Sequence, residues 1–130
     1  MLILRSGIDI IEIDRFEALQ PGLRQRFIER IFTPAEIELV SETNPNPTLA
    51  GHFAAKEAVA KALGTGIGVV SWHEIEIFRG NNGEPRLHLS GKAASLAQVL
   101  GLTQWAISIS HSRLVAVASA TAIGETSISE

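Results

Sequence analysis

The sequence predicts an α+β domain, a largely antiparallel sheet packed with one long helix and shorter ones. Two observations carry this. Strand-like segments occupy both ends of the chain and one hairpin, whereas helical patterns crowd between about positions 15 and 63. The order strand, helices, strands with one further helix lacks the regular alternation of a doubly wound fold. At 130 residues the chain fits one domain, long enough to bury roughly two thirds of its unfolded surface.

Leu2 to Ile13 is rich in isoleucine and reads as one strand, or two broken at Ser6-Gly7. Arg15 to Ile31 is helical, interrupted at Pro21-Gly22. Thr33-Pro34-Ala35-Glu36 starts a helix that runs to about Ser41, with Thr as N-cap, Pro in the first turn and Glu closing a capping box. Asn44 to Pro47 reads as a loop. A long helix follows from Thr48 to Leu63, ended by Gly64. His73 to Phe78 and Pro85 to Leu89 form a hairpin around Gly80-Asn81-Asn82-Gly83. Ser90 opens a helix through Leu100. Trp105 to Ser110 and Leu114 to Thr121 are strands joined at His111-Ser112-Arg113. The single domain is placed at 1–122, with 123–130 as a frayed tail.

Composition removes several function classes. Hydrophobic residues make up 45%, as in an ordinary globular protein. There is no cysteine, hence no disulfide, cysteine-bound zinc or thiol nucleophile; this fits a cytoplasmic protein. A net charge of -3 argues against general binding of nucleic acid, which needs an excess of Lys and Arg. No apolar run approaches the ~20 residues of a membrane helix, and the N-terminus, broken by Arg5, Asp9, Glu12 and Asp14, does not read as a signal peptide.

The stretch FAAKEAVAKALGTG, Phe53 to Gly66, places Lys56, Glu57 and Lys61 among five alanines before a glycine-rich turn. Phe53, Glu57 and Lys61 share one stripe. The alanines let another element pack close, where a carboxylate can bind a hard cation and an ammonium can meet a phosphate; a solvated Glu–Lys pair is the plainer alternative. Gly64-Thr65-Gly66-Ile67-Gly68 admits close backbone approach, though it follows the negative end of a helix dipole and is no P-loop. Asp9 lies between Ile8 and Ile10 in a strand, where a carboxylate is costly unless paired or metal-bound. Gly7 before it allows close approach or a bulge. Glu12 and Asp14 need not share its site. His111 falls at a strand end, suited to phosphate contact or simply to a turn. No zinc-ligand spacing or nucleophile elbow is present. Arg15, Arg24, Arg26 and Arg30 form a local basic patch that suits an acidic partner. The residues alone reach a divalent-cation and phosphate site in an α+β domain.

Taken together, Gly7-Ile8-Asp9, Phe53 to Ala58 with Lys61 to Gly66, and Ile107-Ser108-Ile109-Ser110-His111 resemble the holo-acyl-carrier-protein synthases, the small group of the 4'-phosphopantetheinyl transferases. The resemblance covers the chain to about Ala122. It implies the 4'-phosphopantetheinyl transferase fold and transfer of 4'-phosphopantetheine from coenzyme A to a serine of apo-acyl carrier protein, in support of fatty acid biosynthesis. The serine hydroxyl attacks the β-phosphate and 3',5'-ADP leaves. It implies Mg²⁺ held by Asp9 and Glu57. Lys61 joins them as a catalytic residue, and the base is either Glu57 or a metal-bound water held by Asp9. It further implies that Lys61, Gly64, Thr65, Gly66 and His111 bind coenzyme A, and that Arg15, Arg24, Arg26 and Arg30 dock the acidic carrier. A homotrimer with sites at subunit interfaces is implied as well, with neither nucleic acid nor membrane as partner. Three positions depart from the family pattern: His52 stands for a frequent Arg, Leu114 for an aromatic residue, and Ile11 where larger relatives have a third carboxylate.

Overall fold

The computed structural model describes residues 1–40 and 43–126. Strand β1 (Leu2–Glu12) leads into helices α1 (Asp14–Glu17), α2 (Pro21–Ile31) and α3 (Pro34–Glu38) and the long α4 (Asn46–Leu63). A 3-10 turn at Trp72–Glu74 precedes the hairpin β2 (Ile75–Arg79) and β3 (Pro85–Leu89). Helix α5 (Gly91–Val99) and strands β4 (Leu102–His111) and β5 (Val115–Glu125) complete the described elements. The sheet has the order β1-β5-β4 and is antiparallel throughout, and β2 pairs only with β3. The α+β expectation holds.

Small residues set the spacing between sheet and helix. On β5, Ala116, Ala118, Ala120 and Ala122 are buried, and on α4 Ala54, Ala55, Ala58 and Ala62 are buried too. With methyl groups on both surfaces α4 lies close against β5 and β1. The closest approach is at Gly7, where a Cβ would stand 2.0 Å from the carbonyl oxygen of Ala58 and 2.9 Å from the nitrogen of Ala62. Ser6 and Gly7 pair with Thr121 and Ala120 in an unbroken ladder, so the glycine marks a helix crossing rather than a break in β1. Arg5 donates from Nε to the Ala62 carbonyl at 2.5 Å, a cation at the negative end of α4. Gly64, at φ 87°, closes that helix.

Several boundaries move for local reasons. Helix α4 begins at Asn46 rather than Thr48, because Pro47 in a first turn loses no helical hydrogen bond. Helix α3 ends at Glu38 with its capping box intact, and Ser41 lies outside the described residues. Strand β2 starts at Ile75, since Glu74 turns back to accept from the Ser71 amide at 2.9 Å. Glu74, not Ser90, serves the start of α5 by accepting from the Lys92 amide at 2.8 Å. Strand β5 runs to Glu125, which pairs with Leu2, so 123–125 are strand rather than frayed tail.

The long helix also shields a buried ion pair. Lys56 Nζ lies 2.6 Å from Glu36 Oε1 with both side chains fully buried. It donates further to the carbonyls of Ile31 at 2.9 Å and Trp72 at 3.0 Å. Glu36 also accepts from the Thr33 and Ile77 amides, each at 2.8 Å. One pair thus joins α2, α3, α4, the 3-10 turn and β2.

Candidate active site

The crossing of α4 over β1 builds the site. Inward residues of β1 alternate with outward ones, so Asp9 faces the helix while Ile8 and Ile10 point away. Glu57 and Lys61, one turn apart, meet Asp9 there because Gly7 lets the helix down onto the strand. Lys61 Nζ donates to Asp9 Oδ1 at 3.0 Å and to the Ile8 carbonyl at 2.9 Å. Burial is the main cause that raises the pKa of Glu57; the charge of Asp9 raises it further, and Lys61 pulls it back. Two carboxylates close enough to repel, with one ammonium beside them, are hard oxygen donors placed for a divalent cation. Among the described residues no group of three His, Cys, Asp or Glu gathers; Ile11, inward like Asp9, is buried in the core.

The other residues singled out by sequence are scattered over the fold. Gly64, Thr65 and Gly66 sit just beyond Lys61, but their amides already bond the helix: Gly64 to the Lys61 carbonyl at 3.0 Å, Thr65 and Gly66 to that of Ala60 at 3.2 Å. The Thr65 hydroxyl donates to the Gly66 carbonyl at 2.9 Å. The turn can therefore offer a ligand room and a hydroxyl rather than a nest of N–H groups. Phe53 leaves the charged stripe and packs among Phe16, Phe27 and Trp72 at centroid distances of 5.0–6.2 Å. Lys56 belongs to the core, as described above.

His111 ends β4, two strands from β1 and so about 10 Å away on strand spacing alone. It is exposed and opens into a cavity of about 250 Å³ that His52, Phe78, Arg79, Pro85 and Ile109 also line. Asp9, Glu57 and Lys61 do not line it. A single chain therefore does not bring His111 to the carboxylates. Arg79 and Phe78 went unremarked in the sequence, where nothing local shows that the hairpin docks beside His52.

His52 is buried, and its pKa falls to about 4, mainly through burial, then through the charges of Arg79 and Lys56. Its ring is neutral at pH 7 and cannot serve as a cation there. In the unfolded chain the imidazole regains a pKa of about 6.5, so the unfolded state binds more protons between those values. Stability contributed by neutral His52 is fully present above about pH 6.5 and is lost as pH falls toward 4, by about 3 kcal/mol. Urea titrations between pH 7 and 4.5 are expected to show this slope, and His52→Gln should flatten it. An equal slope in that variant would assign the acid loss to other groups.

The arginine patch divides. Arg15, Arg26 and Arg30 are exposed on α1 and α2, with Leu23 at 58% exposure beside them. Arg24 is half buried, donating to the Phe16 carbonyl and to Asn46 Oδ1, and so ties α1 and α2 to the start of α4.

A sequence profile described as ACPS, the 4'-phosphopantetheinyl transferase superfamily, matches residues 5–117. The chain belongs to this superfamily. Among relatives, the holo-[acyl-carrier-protein] synthase of Natranaerobius thermophilus is 45% identical over 120 residues, 92% of this chain and 96% of that protein. The crystal structure of the Helicobacter pylori holo-[acyl-carrier-protein] synthase in complex with coenzyme A superposes with a TM-score of 0.79 at 33% identity, over 90% of this chain and 98% of that one. For the Bacillus anthracis synthase in complex with CoA (3',5'-ADP) the TM-score is 0.76 at 36% identity, over 96% and 100%. The transferase fold expected from the motifs is the fold observed, and the motif residues around Gly7 and Glu57 are those that form the crossing.

Proposed function

We propose that this chain, as one catalytic domain, transfers 4'-phosphopantetheine from coenzyme A to a serine of apo-acyl carrier protein and so supports fatty acid biosynthesis. The observation that carries the reading is the meeting of Asp9, Glu57 and Lys61 where α4 crosses β1. The bond formed joins the serine oxygen to the β-phosphorus; the bond broken frees 3',5'-ADP. Phosphoryl transfer of this kind needs positioning and charge neutralisation above all. Asp9 and Glu57 would hold Mg²⁺, with water at its remaining positions because Ile11 is apolar and buried. The ion supplies positive charge to the pyrophosphate. Lys61 adds its own charge where the leaving group becomes negative. The raised proton affinity of Glu57 suits it to take the serine proton, as would a water held at Asp9.

Coenzyme A would lie along Lys61, the turn at Gly64, Thr65 and Gly66, and His111. Because His111 is remote from the carboxylates in one chain, the residue would come from a neighbouring copy. The outer face of β1 supports such assembly: Leu2, Leu4, Ile8 and Ile10 are 63–68% exposed, an apolar stripe of the kind that marks an interface. A homotrimer with shared sites is the assembly this reading takes. Arg15, Arg26 and Arg30, with Leu23, would receive the acidic carrier, and Arg24 would hold the docking helices in place. The described residues contain no helix long and apolar enough to cross a membrane, and action in the cytoplasm fits this chemistry.

The test is mass spectrometry of an apo-acyl carrier protein incubated with the protein, coenzyme A and Mg²⁺. The expected result is one phosphopantetheine on the carrier serine, abolished by EDTA. Cleavage of coenzyme A with an unmodified carrier would replace the transferase reading by a hydrolase.

A further inference from the structure

We propose that Lys61 is a placeholder cation that makes metal binding at Asp9 conditional on coenzyme A, an inference that rests on the transferase reading above. The geometry is specific. The ammonium is anchored on two acceptors of β1, Asp9 Oδ1 at 3.0 Å and the Ile8 carbonyl at 2.9 Å. It thus occupies one of the oxygens a metal would need. Its side chain is 50% exposed whereas that of Asp9 is 17% exposed, so the lysine can swing away and the carboxylate cannot.

Charge decides the order of events. Asp9 and Glu57 with Lys61 in place carry one negative charge in excess. A divalent cation entering beside the ammonium would turn this into a positive excess and set two cations on one carboxylate. A phosphate offers the ammonium a new acceptor of the same kind. Once Lys61 has moved to it, both carboxylates are open and exactly balance a divalent ion. Coenzyme A and the metal should therefore strengthen each other's binding, by a reciprocal factor. The device would keep the bare carboxylates from collecting divalent ions when no substrate is present.

The test uses Mn²⁺ titrations of the whole chain followed by electron paramagnetic resonance, without carrier protein, with and without coenzyme A. Binding of Mn²⁺ by free coenzyme A is measured separately and subtracted. Without coenzyme, Lys61→Met is expected to bind Mn²⁺ about tenfold more tightly than the parent, the equivalent of about 1.4 kcal/mol, while Lys61→Arg stays as weak as the parent. Coenzyme A should tighten Mn²⁺ on the parent about tenfold more than on Lys61→Met. If the Met variant binds Mn²⁺ no better than the parent in the absence of coenzyme, the inference is overturned while the metal site stands. If, with coenzyme A present, Asp9→Asn still binds Mn²⁺ like the parent, the metal site is elsewhere, and the inference falls with the reading it rests on.

Discussion

Exchange of Glu57 for Gln is expected to slow carrier modification at least a hundredfold, and to leave the protein no less stable. Both halves follow from the same observation. The carboxylate sits half buried near Asp9, and burial with that neighbouring charge raises its pKa, which means that the fold holds the charge at an electrostatic cost. Gln keeps the size and removes the charge, so the native state loses a repulsion. On the proposed reading the reaction loses a metal ligand and one of the two candidate proton acceptors, and groups that stabilise developing charge in such sites contribute about 10²- to 10³-fold each. Asp9→Asn should behave likewise, although it also weakens the hold on Lys61. If the two carboxylates act on one ion, as proposed, the double variant should be little worse than either single one. Initial rates of carrier modification, with thermal melts in parallel, check this. A Glu57→Gln protein that keeps more than a tenth of the parent rate would remove the residue from the chemistry, whatever its stability.

Local spacing is enough to place Glu57 and Lys61 on one stripe, since they are one helical turn apart, and a glycine two residues before a strand Asp signals close approach. The alanines of α4 and β5 likewise announce tight packing by themselves. What spacing cannot encode is which element arrives from far along the chain. Lys56 is adjacent to Glu57 and looks like part of the same charged group, yet it projects from another side of the helix. There its partners, Glu36, Ile31 and Trp72, come from three different segments. The same holds for Arg79 beside His52, which depends on how the β2–β3 hairpin docks, and for Arg24, whose place in the basic patch hid a tether to Asn46. His111 was found by motif, but its separation from Asp9 follows from the strand order β1-β5-β4, which no local pattern states. The end of β5 was misjudged because polar residues of the chain terminus resemble a loose tail until their pairing with Leu2 is known.

Loss of Glu36 is the largest stability effect expected. Glu36→Ala removes the carboxylate 2.6 Å from Lys56 Nζ and leaves a buried ammonium with two carbonyls and the face of Phe32, whose ring centroid lies 5.6 Å away. Breaking one side of a buried pair costs about 3–5 kcal/mol, and here the Thr33 and Ile77 amides lose their acceptor as well. The cost is limited by the proton. Burial already pushes the Lys56 pKa down, while Glu36 is the main group holding it up. With Glu36 gone, the cheapest response is for Lys56 to become neutral. The native variant then binds fewer protons than its unfolded chain, so its stability should rise with pH from 7 towards the ordinary lysine pKa; the parent, whose Lys56 pKa is lowered less because Glu36 holds it up, should show a smaller rise that begins at higher pH. Pairing Glu36→Gln with Lys56→Met removes both charges and keeps an acceptor for one of the two amides, which bond different oxygens of Glu36. That double variant is expected to recover about half of the loss shown by Glu36→Ala. Urea denaturation at pH 7 and pH 9 measures both effects. A Glu36→Ala protein within about 1 kcal/mol of the parent, with no gain at high pH, would mean that water reaches Lys56 and that the pair does not fix α2 and α3 against α4.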